Sequence, residues 1–460
     1  MLGKMQIITI AVVAVVVVAS IGIAWAVLRE GDGHDRISID AQLEVFGNAN
    51  GDNIIDHDDL TIILDIIKGE KSFEDHPLAD ANCDGIIDQR DYDLTNSIIN
   101  ADPDHKVRIN IINYYISDAY VDSVLYPITS AAATASLNSL LAFKYLGITN
   151  ELKGLTYSSL DSSLFSEYIT LMKAFPTLGI NVYTMDVERV STCVTDYGIS
   201  AIISEDNVAY LPNASPASNI LNGTGVDIVR IKPGVVDSGE YMSSILMLAF
   251  LFDTDGKGYM KKCLEVIEWY EDFFTDLNNK LGGVKNKVSA VASSMTTYVS
   301  LLSSNNTEII QAAGAEYPLA DLKSGSSTSI AFTRGSDTWL YNYKIDRLIL
   351  LRGSSSAATG PFSWYGGTAM TTGFNTVKGY FDNWESTECY KKGNVYIVCG
   401  DMPVILRVAY VAQILYPNIF GQDFAYNYNV DFIQKFFGWD ENMIKDKPFC
   451  ISMSDVGITV

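Results

Sequence analysis

The sequence predicts two α/β lobes joined by one long rigid helix, preceded by a small all-α module and an N-terminal transmembrane helix. Strand-like apolar runs alternate with helical stretches on both sides of a long helical segment, which is typical of lobes built on largely parallel sheets. Two acidic twelve-residue phrases stand before the first lobe. The start of the chain is an uncharged apolar run long enough to cross a bilayer.

Composition argues against two broad classes of protein. The chain has 460 residues, a formal net charge of −23 and 48% hydrophobic residues. This hydrophobic content argues against general disorder, and the acidic balance argues against nucleic-acid binding, which needs a basic face. All four histidines lie before residue 106. The rest of the chain therefore lacks the base of a Ser-His-Asp or Cys-His group and any histidine metal ligand, so we expect no enzyme activity.

Residues 1–30 are predicted to be a membrane anchor. The run 6–28, "QIITIAVVAVVVVASIGIAWAVL", carries no charge and is long enough to span the hydrocarbon core. Lys4 precedes it and Glu30 follows it, so the positive-inside rule places the protein at the cell membrane as a single-pass, extracellular-facing chain. The alternative is a cleaved signal peptide, because residues 24–26, "AWA", fit a small-x-small cleavage site. Both alternatives export the remainder.

The two acidic phrases, "NANGDNIIDHDD" at 48–59 and "DANCDGIIDQRD" at 80–91, have oxygen donors at the ligand positions of a calcium loop, which are 1, 3, 5, 7, 9 and 12. The predicted ligands are Asn48, Asn50, Asp52, the Ile54 carbonyl, Asp56 and Asp59 in the first loop, and Asp80, Asn82, Asp84, the Ile86 carbonyl, Asp88 and Asp91 in the second. Position 6 needs a positive φ, which we expect of Asn53 and Gly85. The sequence thus predicts two Ca²⁺ sites, the second tighter because it begins with an aspartate.

A helix is predicted after the first loop, and Gly69 ends it. Its apolar face is formed by Leu60, Ile63, Leu64 and Ile67.

Paired calcium loops that end in Asp rather than Glu resemble a dockerin, the EF-hand-like module that binds cohesin domains. The resemblance covers residues 40–102 and implies calcium-dependent docking at the cell surface, with a cohesin-type partner. The polar link "ADPDH" at 101–105 follows, so we expect calcium chelation to melt residues 40–102 and leave ligand affinity nearly unchanged.

The large domain is predicted as an N-lobe (107–257), an inter-lobe helix (258–283) and a C-lobe (284–458). The strand-bearing runs are "VRINIINYY", "AAATASLNSLLAFKYLG", "LKGLTYSS", "INVYTM", "ISAIISE" and "VDIVRIK" in the first lobe, and "KVSAVASS", "IDRLILLRGS" and "NVYIVCG" in the second. The helix itself is expected from Tyr259 to Leu281, where Gly282 and Gly283 end it.

Ligands of such lobes bind at the carboxyl ends of parallel strands. No phosphate-binding GxxxxGK[ST], nucleophile-elbow GxSxG or dinucleotide-binding GxGxxG motif stands there. The predicted ligand-binding residues are the hydroxyls, aromatics and cation that follow the runs, namely Tyr157, Ser158, Ser294, Met295, Arg352, Trp364 and Tyr365. Arg352 directly follows the apolar run "IDRLILL", which makes it the best candidate cation. This set favours a binding cleft over a catalytic one.

The segments 384–398, "WESTECYKKGNVYIV", and 406–438, which contains "LYP" and "FIQKFFG", resemble the substrate-binding proteins of iron-chelate and cobalamin importers. The resemblance covers residues 107–455. It implies two lobes on a rigid helix, a metal-chelate ligand of the iron-siderophore or cobalamin class, and an ABC permease as partner. In that family an acidic residue on each lobe contacts the permease, and the matching positions are Glu188 and Asp337.

Two functions therefore stay open. The first is a membrane-anchored ABC-transporter substrate-binding protein that captures a metal chelate and carries a calcium-dependent dockerin module. The second is a surface structural or adhesive protein that uses the same fold without transport. A third alternative, an extracellular enzyme, is disfavoured because the sequence shows no set of catalytic residues.

Overall fold

The computed structural model describes residues 41–460 except 116–117, 135, 157–165, 180–184, 207–210, 212–213, 217, 233–238, 255, 294–297, 303, 323–326, 333–338, 353–376 and 401. The chain forms two compact units. The first unit holds residues up to 158, 167–233 and 238–268, and the second unit holds 159–166, 234–237 and 269–460. The predicted membrane segment 6–28 lies outside the described residues, and within them no helix is long and apolar enough to cross a bilayer.

The acidic module of the first unit has two α-helices, α1 (His57–Ile67) and α2 (Gln89–Ile99). Two 3₁₀ turns, Phe73–Asp75 and Pro77–Ala79, connect them. Each helix starts at an aspartate of a capping box, which satisfies orphan N–H groups of the first turn.

The apolar face of α1 is only partly the one that the sequence predicted. Leu60 and Ile63 are buried, whereas Ile67 is 40% exposed. Ile62 and Ile66 pack against the small core that contains Ala49 and Ala79, and Ile67 is not part of that core.

A long antiparallel hairpin follows the module. Its strands are β1 (Val107–Tyr115) and β2 (Asp118–Tyr126), which pair along their whole length. The run "VRINIINYY" is therefore not a strand of the parallel sheet. The backbone of β1 also pairs with the module, because Val45 bridges Ile111 and the Ile112 N–H donates to the Glu44 carbonyl at 3.0 Å. The module thus packs directly on the hairpin of the first unit.

The core of the first unit is a fully parallel sheet of four strands, β3 (Ala131–Ala133), β4 (Leu152–Leu155), β5 (Ala201–Glu205) and β8 (Asp227–Ile231), in the order β4-β3-β5-β8. A separate two-stranded piece is formed by β6 (Ala214–Ser215) and β7 (Ser218–Asn219). The helices are α3 (Leu137–Leu146), α4 (Ser166–Ala174), α5 (Val187–Tyr197) and α6 (Gly239–Phe252). Apart from Glu240, every residue of α6 is buried, so this apolar helix is central to the core.

Helix α7 spans Tyr259–Leu281, the bounds that the sequence predicted, and has 23 residues. Residues 259–268 belong to the first unit and 269–281 to the second. Its buried side chains recur at helical spacing and are Tyr259, Cys263, Val266, Ile267, Trp269, Tyr270, Phe273, Phe274 and Leu277.

The second unit is built on a mixed sheet of four strands, β9 (Ala290–Ser293), β12 (Arg347–Arg352), β13 (Val395–Cys399) and β14 (Cys450–Ser452), in the order β14-β13-β12-β9, in which only β14 is antiparallel. The unit also contains β10 (Tyr298–Ser300), which pairs separately with β11 (Ser329–Ala331). Its helices are α8 (Asn305–Ala312), α9 (Glu388–Lys391), α10 (Val404–Leu415), α11 (Pro417–Phe420) and α12 (Phe424–Phe437). Parallel strands alternating with helices confirm the α/β class predicted for both lobes.

Candidate functional site

The first acidic loop is closed by the carboxylate at its twelfth position. Asp59 accepts hydrogen bonds from the backbone N–H of Asn50 at 3.0 Å and of Asp56 at 2.8 Å. Within the loop, the Asp52 N–H donates to the Asn50 side-chain oxygen and the Ile54 N–H donates to the Asp52 carboxylate, both at 2.8 Å. The side chains of Asn50 and Asp52 therefore fold back onto the backbone of their own loop.

The second loop repeats this pattern. Asp91 accepts from the N–H of Asn82 at 3.1 Å and of Asp88 at 2.9 Å. The Asp84 N–H donates to the Asn82 oxygen at 2.9 Å, and the Ile86 N–H donates to the Asp84 carboxylate at 3.1 Å. The same closure in both phrases indicates that they are two copies of one loop design.

The left-handed residues of the loops differ from the prediction. Gly85 has the expected positive φ of 85°. Asn53 is not among the described residues with positive φ, so that expectation is wrong, and the first loop takes its left-handed turn at Gly51 (φ 72°), matched by Cys83 (φ 57°) in the second. The placement of glycine agrees with this difference, because the sixth position is Gly85 in the second loop, whose N–H donates to the Asp80 carboxylate at 2.8 Å, whereas the glycine of the first loop is Gly51 at the fourth position.

Asn48, which opens the first loop, is a donor as well as a candidate ligand. Its amide nitrogen donates to the Leu43 carbonyl at 2.9 Å and to the Asp52 carbonyl at 2.8 Å. Its side-chain oxygen is buried and has no hydrogen-bond partner among the described residues. A buried acceptor without a donor is costly, and a bound cation would satisfy it.

The electrostatics of both loops fit an oxygen-seeking cation. Burial raises the pKa of Asp59 to about 6, with a smaller contribution from Asp52, and burial raises the pKa of Asp80 to about 6 as well. Crowded carboxylates with raised pKa values are what a cation would relieve. Within the described ranges, no three His, Cys, Asp or Glu side chains converge as a metal site. The predicted set instead mixes carboxylate, amide and backbone oxygens, as Ca²⁺ prefers.

Arg90 distinguishes the second loop from the first. Its guanidinium lies 2.7 Å from the Asp84 carboxylate and 2.8 Å from that of Asp88, which are the fifth and ninth loop positions. Arg90 also lowers the pKa of Asp88, chiefly through its side-chain hydrogen bond. The first loop has Asp58 at the equivalent position. The prediction of tighter calcium binding at the second loop counted carboxylates and did not consider the Arg90 guanidinium, which is already paired with two of them.

Buried polar groups lie at the carboxyl ends of the strands of the first unit. Thr134 follows β3, Asp206 follows β5 and Lys232 follows β8, and all three are buried. The Lys232 ammonium lies 3.4 Å from the Glu240 carboxylate at the start of α6. The sequence reasoning did not name Asp206 or Lys232, although Lys232 ends the quoted run "VDIVRIK" and could have been found there.

The structure bears only in part on the predicted ligand-binding residues. Arg352 is the last residue of β12, where its backbone is in register with Cys399 of β13, so it stands at a carboxyl strand end as predicted. Its side chain is outside the described part of the structure. The other predicted ligand-binding residues lie outside the described residues and are Tyr157, Ser158, Ser294, Met295, Trp364 and Tyr365.

Glu188 lies in the first turn of α5 and is exposed. The helix begins at Asp186, whose carboxylate accepts the N–H groups of Glu188 and Arg189. Arg189 turns to Asp186 and to the Thr177 carbonyl. Glu188 therefore presents its carboxylate to solvent. Asp337, the predicted counterpart in the second lobe, lies outside the described residues.

Comparison with known proteins gives a likeness of fold. No protein-family model matches the sequence, and no curated protein matches it. The structure is similar to a TroA-like periplasmic binding protein, FepB, from Veillonella parvula, at 13% sequence identity and a TM-score of 0.53, over 69% of this chain and 95% of that one.

Two further solved structures have the same fold. The Helicobacter pylori protein CeuE, in a complex described as Ni-His, is 11% identical with a TM-score of 0.51, over 74% of this chain and 98% of its own. A periplasmic solute-binding protein from Veillonella parvula is 16% identical with a TM-score of 0.51, over 74% and 97%. The chain therefore has the α/β fold of the periplasmic binding proteins.

Proposed function

We propose that this protein captures a metal chelate outside the cell membrane for an ABC importer and does not transform it. The observation that supports the proposal best is the presence of two α/β units in one chain, with the unbroken helix α7 running from the first into the second. The similar structures include a solute-binding protein and a Ni-His complex of CeuE, so a chelated metal is the ligand class closest to these neighbours. The membrane anchor at residues 6–28 would hold the protein beside its permease.

The polar groups of the first unit suit binding better than catalysis. Lys232 is already paired with Glu240 at 3.4 Å and lies 4.2 Å from the ring centre of Tyr114. A general base or nucleophile needs a partner that prepares it for proton transfer, and every histidine of the chain lies before residue 106. A buried lysine that is already paired with a carboxylate instead contributes a fixed polar group to this edge.

The proposed ligand contacts combine one cation with hydroxyls and aromatic rings. Arg352 would bind an anionic group of the chelate, because a guanidinium at a strand end offers fixed paired donors. Trp364 and Tyr365 would cover an apolar or aromatic face of the chelate. Tyr157, Ser158, Ser294 and Met295 complete the proposed set.

The acidic module would bind two Ca²⁺ ions and attach the protein to a cohesin-type partner. The bound ions would neutralise the carboxylates and supply the missing partner of the buried Asn48 oxygen. Glu188 and Asp337 would contact the permease, one from each lobe. The exposed position of Glu188 supports its part in this proposal.

A structural or adhesive role is the second candidate. The seventh residue of each loop, Ile54 in the first and Ile86 in the second, is 54% and 61% exposed, and paired exposed apolar side chains are typical of a contact surface. Calcium-dependent self-assembly of the purified protein, followed by light scattering, would favour this role over transport.

The test of the proposed function is an equilibrium titration of the purified protein with a ferric siderophore and with a cobalamin, followed by absorbance and calorimetry. We expect saturable one-to-one binding of one class, weakened by Arg352→Ala. Lys285→Ala removes an exposed cation after α7 and is the matched control that leaves binding unchanged. Loss of binding in both variants, or in neither, would count against the assignment of Arg352.

A further inference from the structure

We propose that residues 42–48, here called the coupling segment, link the first acidic loop to the carboxyl edge of the sheet in the first unit. Calcium at the first loop would thereby order the start of α6 and the end of β8. The inference rests on the calcium site of the proposed function and adds a regulatory role to it. This role differs from the sequence-based prediction that calcium chelation leaves ligand affinity nearly unchanged, which stays a prediction.

One end of the coupling segment is held by the loop. The Asn48 amide nitrogen donates to the Leu43 carbonyl at 2.9 Å, which ties the first loop position back into the segment. Between them, Gly47 has a φ of 108°, and a Cβ added there would lie 3.1 Å from the Thr95 hydroxyl of α2. The Gly47 N–H donates to the Leu78 carbonyl at 2.7 Å. Because the backbone around Gly47 is closely packed, a displacement of Asn48 would also displace Leu43, to which it is hydrogen-bonded.

The middle of the segment pairs with the hairpin through one antiparallel bridge between Val45 and Ile111. The Phe46 N–H donates to the Asn110 carbonyl and the Glu44 carbonyl accepts from Ile112, both at 3.0 Å. Residues 43–48 are all buried. The bridge and its two flanking backbone hydrogen bonds fix the register of the segment against β1.

The other end of the segment reaches α6 and β8 through polar contacts. The Gln42 N–H donates to the Ser243 hydroxyl at 2.9 Å, and the next residue of α6, Ser244, accepts from the Lys232 N–H at 3.0 Å. The Glu44 carboxylate accepts from the Tyr114 hydroxyl at 2.7 Å. The Lys232 ammonium lies 4.2 Å from the centre of the Tyr114 ring.

These contacts form a chain of side chains, Glu44, Tyr114, Lys232 and Glu240, of which the first three are buried and Glu240 is exposed. Burial raises the pKa of Glu44 to about 8, with Glu240 raising it further and Tyr114 and Lys232 opposing the shift. A buried network of this kind tolerates few arrangements, because any unpaired member is costly. Ordering of the coupling segment would therefore hold Lys232 and the first turn of α6 in one arrangement.

The test is hydrogen–deuterium exchange of the full chain with and without calcium. In the wild type we expect calcium to slow exchange by about tenfold in residues 42–48 and 239–246, as well as in the loops. Tyr114→Phe removes the hydroxyl that contacts Glu44, and should confine the protection to the loops while calorimetry still shows calcium binding. Tyr426→Phe removes a hydroxyl that donates to Glu441 in the second unit and should keep the full response.

Two variants keep the test decisive. If Tyr114→Phe does not fold, Glu44→Leu serves instead, because it removes the acceptor of the same hydrogen bond. Protection confined to the loops in the wild type, or unchanged transmission in both variants, would overturn the coupling. Calcium binding without transmission refutes the coupling alone, whereas absence of calcium binding refutes the calcium site of the proposed function and the coupling together. Neither outcome depends on the identity of the chelate.

Discussion

The Tyr114 hydroxyl lies 2.7 Å from both carboxylate oxygens of Glu44. Glu44 precedes the first acidic loop and Tyr114 lies in β1, so the contact connects the acidic module to the large domain. Both residues are buried. The pair therefore gives sensitive positions for testing how the module is attached.

The first prediction concerns the pH dependence of stability. Burial raises the pKa of Glu44 from 4.5 to about 8, so the folded state holds this proton more tightly than the unfolded chain does. The resulting stabilisation is complete below pH 4.5 and is lost as the pH rises through about 8. Relative to Glu44→Gln, the wild type should lose about 2 to 5 kcal/mol across this window, at about 1.4 kcal/mol per pKa unit.

Chemical denaturation at a series of pH values measures this difference. The control is Glu441→Gln, at an exposed carboxylate that accepts a hydrogen bond from Tyr426, which should leave the pH profile unchanged. A wild-type profile parallel to that of Glu44→Gln would show that Glu44 is not held protonated by the fold.

The second prediction concerns the hydroxyl of Tyr114. Tyr114→Phe keeps the ring under Lys232 and leaves the Glu44 carboxylate without its phenol donor. Removing one partner of a buried hydrogen bond costs about 1 to 3 kcal/mol. We expect the midpoint of urea unfolding to fall accordingly at pH 9, where Glu44 is mostly charged, and to fall less at pH 5. An equal loss at both pH values would indicate that the charge of Glu44 is irrelevant to the contact.

The third prediction concerns calcium affinity of the second loop. Arg90 pairs with Asp84 and Asp88, so calcium must displace this guanidinium. Arg90→Ala should tighten binding at the second loop by about two- to fivefold, the range of an exposed ion pair, and the gain should shrink at high salt. Lys68→Ala, which breaks an exposed pair with Asp65 on α1, is the matched control. Calorimetric titration with calcium distinguishes the two, and equal affinities in wild type and Arg90→Ala would contradict the competition.

The fourth prediction concerns permease contact. Glu188→Lys reverses an exposed charge in the first turn of α5. We expect chelate affinity to stay within about twofold, because the residue lies outside the proposed ligand set, while uptake in cells falls by about tenfold or more. Glu268→Lys, at another exposed acidic helix position, controls for the change in net charge. Loss of ligand affinity in Glu188→Lys would show that the residue acts on the ligand.

Sequence patterns were most informative where periodicity and end signals agreed. Helix α7 has the predicted bounds because an amphipathic repeat ends at Gly282 and Gly283. The parallel strands were found from short apolar runs separated by helical stretches. The strand from Val107 to Tyr115 was predicted, but its pairing with the neighbouring β2 was not. An apolar run does not specify which strand it pairs with.

The loops show a similar limit at finer scale. The spacing of Asn and Asp predicted both acidic loops. In the structure Asp59 and Asp91, the last residues of the two loops, accept backbone N–H groups near the start of their own loops. The positive φ expected at Asn53 was wrong, because the glycine of the first loop stands two residues earlier, at Gly51, and adopts the left-handed conformation there. The role of Glu44 in attaching the module was also missed. A single glutamate in a short segment has no sequence signal for burial, and only the tertiary contact with Tyr114 places it.

The most direct test of the central claim is a titration of the purified, calcium-loaded chain with a ferric siderophore or a cobalamin, with chemical recovery of the ligand afterwards. The proposed function predicts saturation at one chelate per chain and recovery of that chelate unaltered. Recovery of a chemically changed ligand, or failure of every metal chelate to bind, would contradict it.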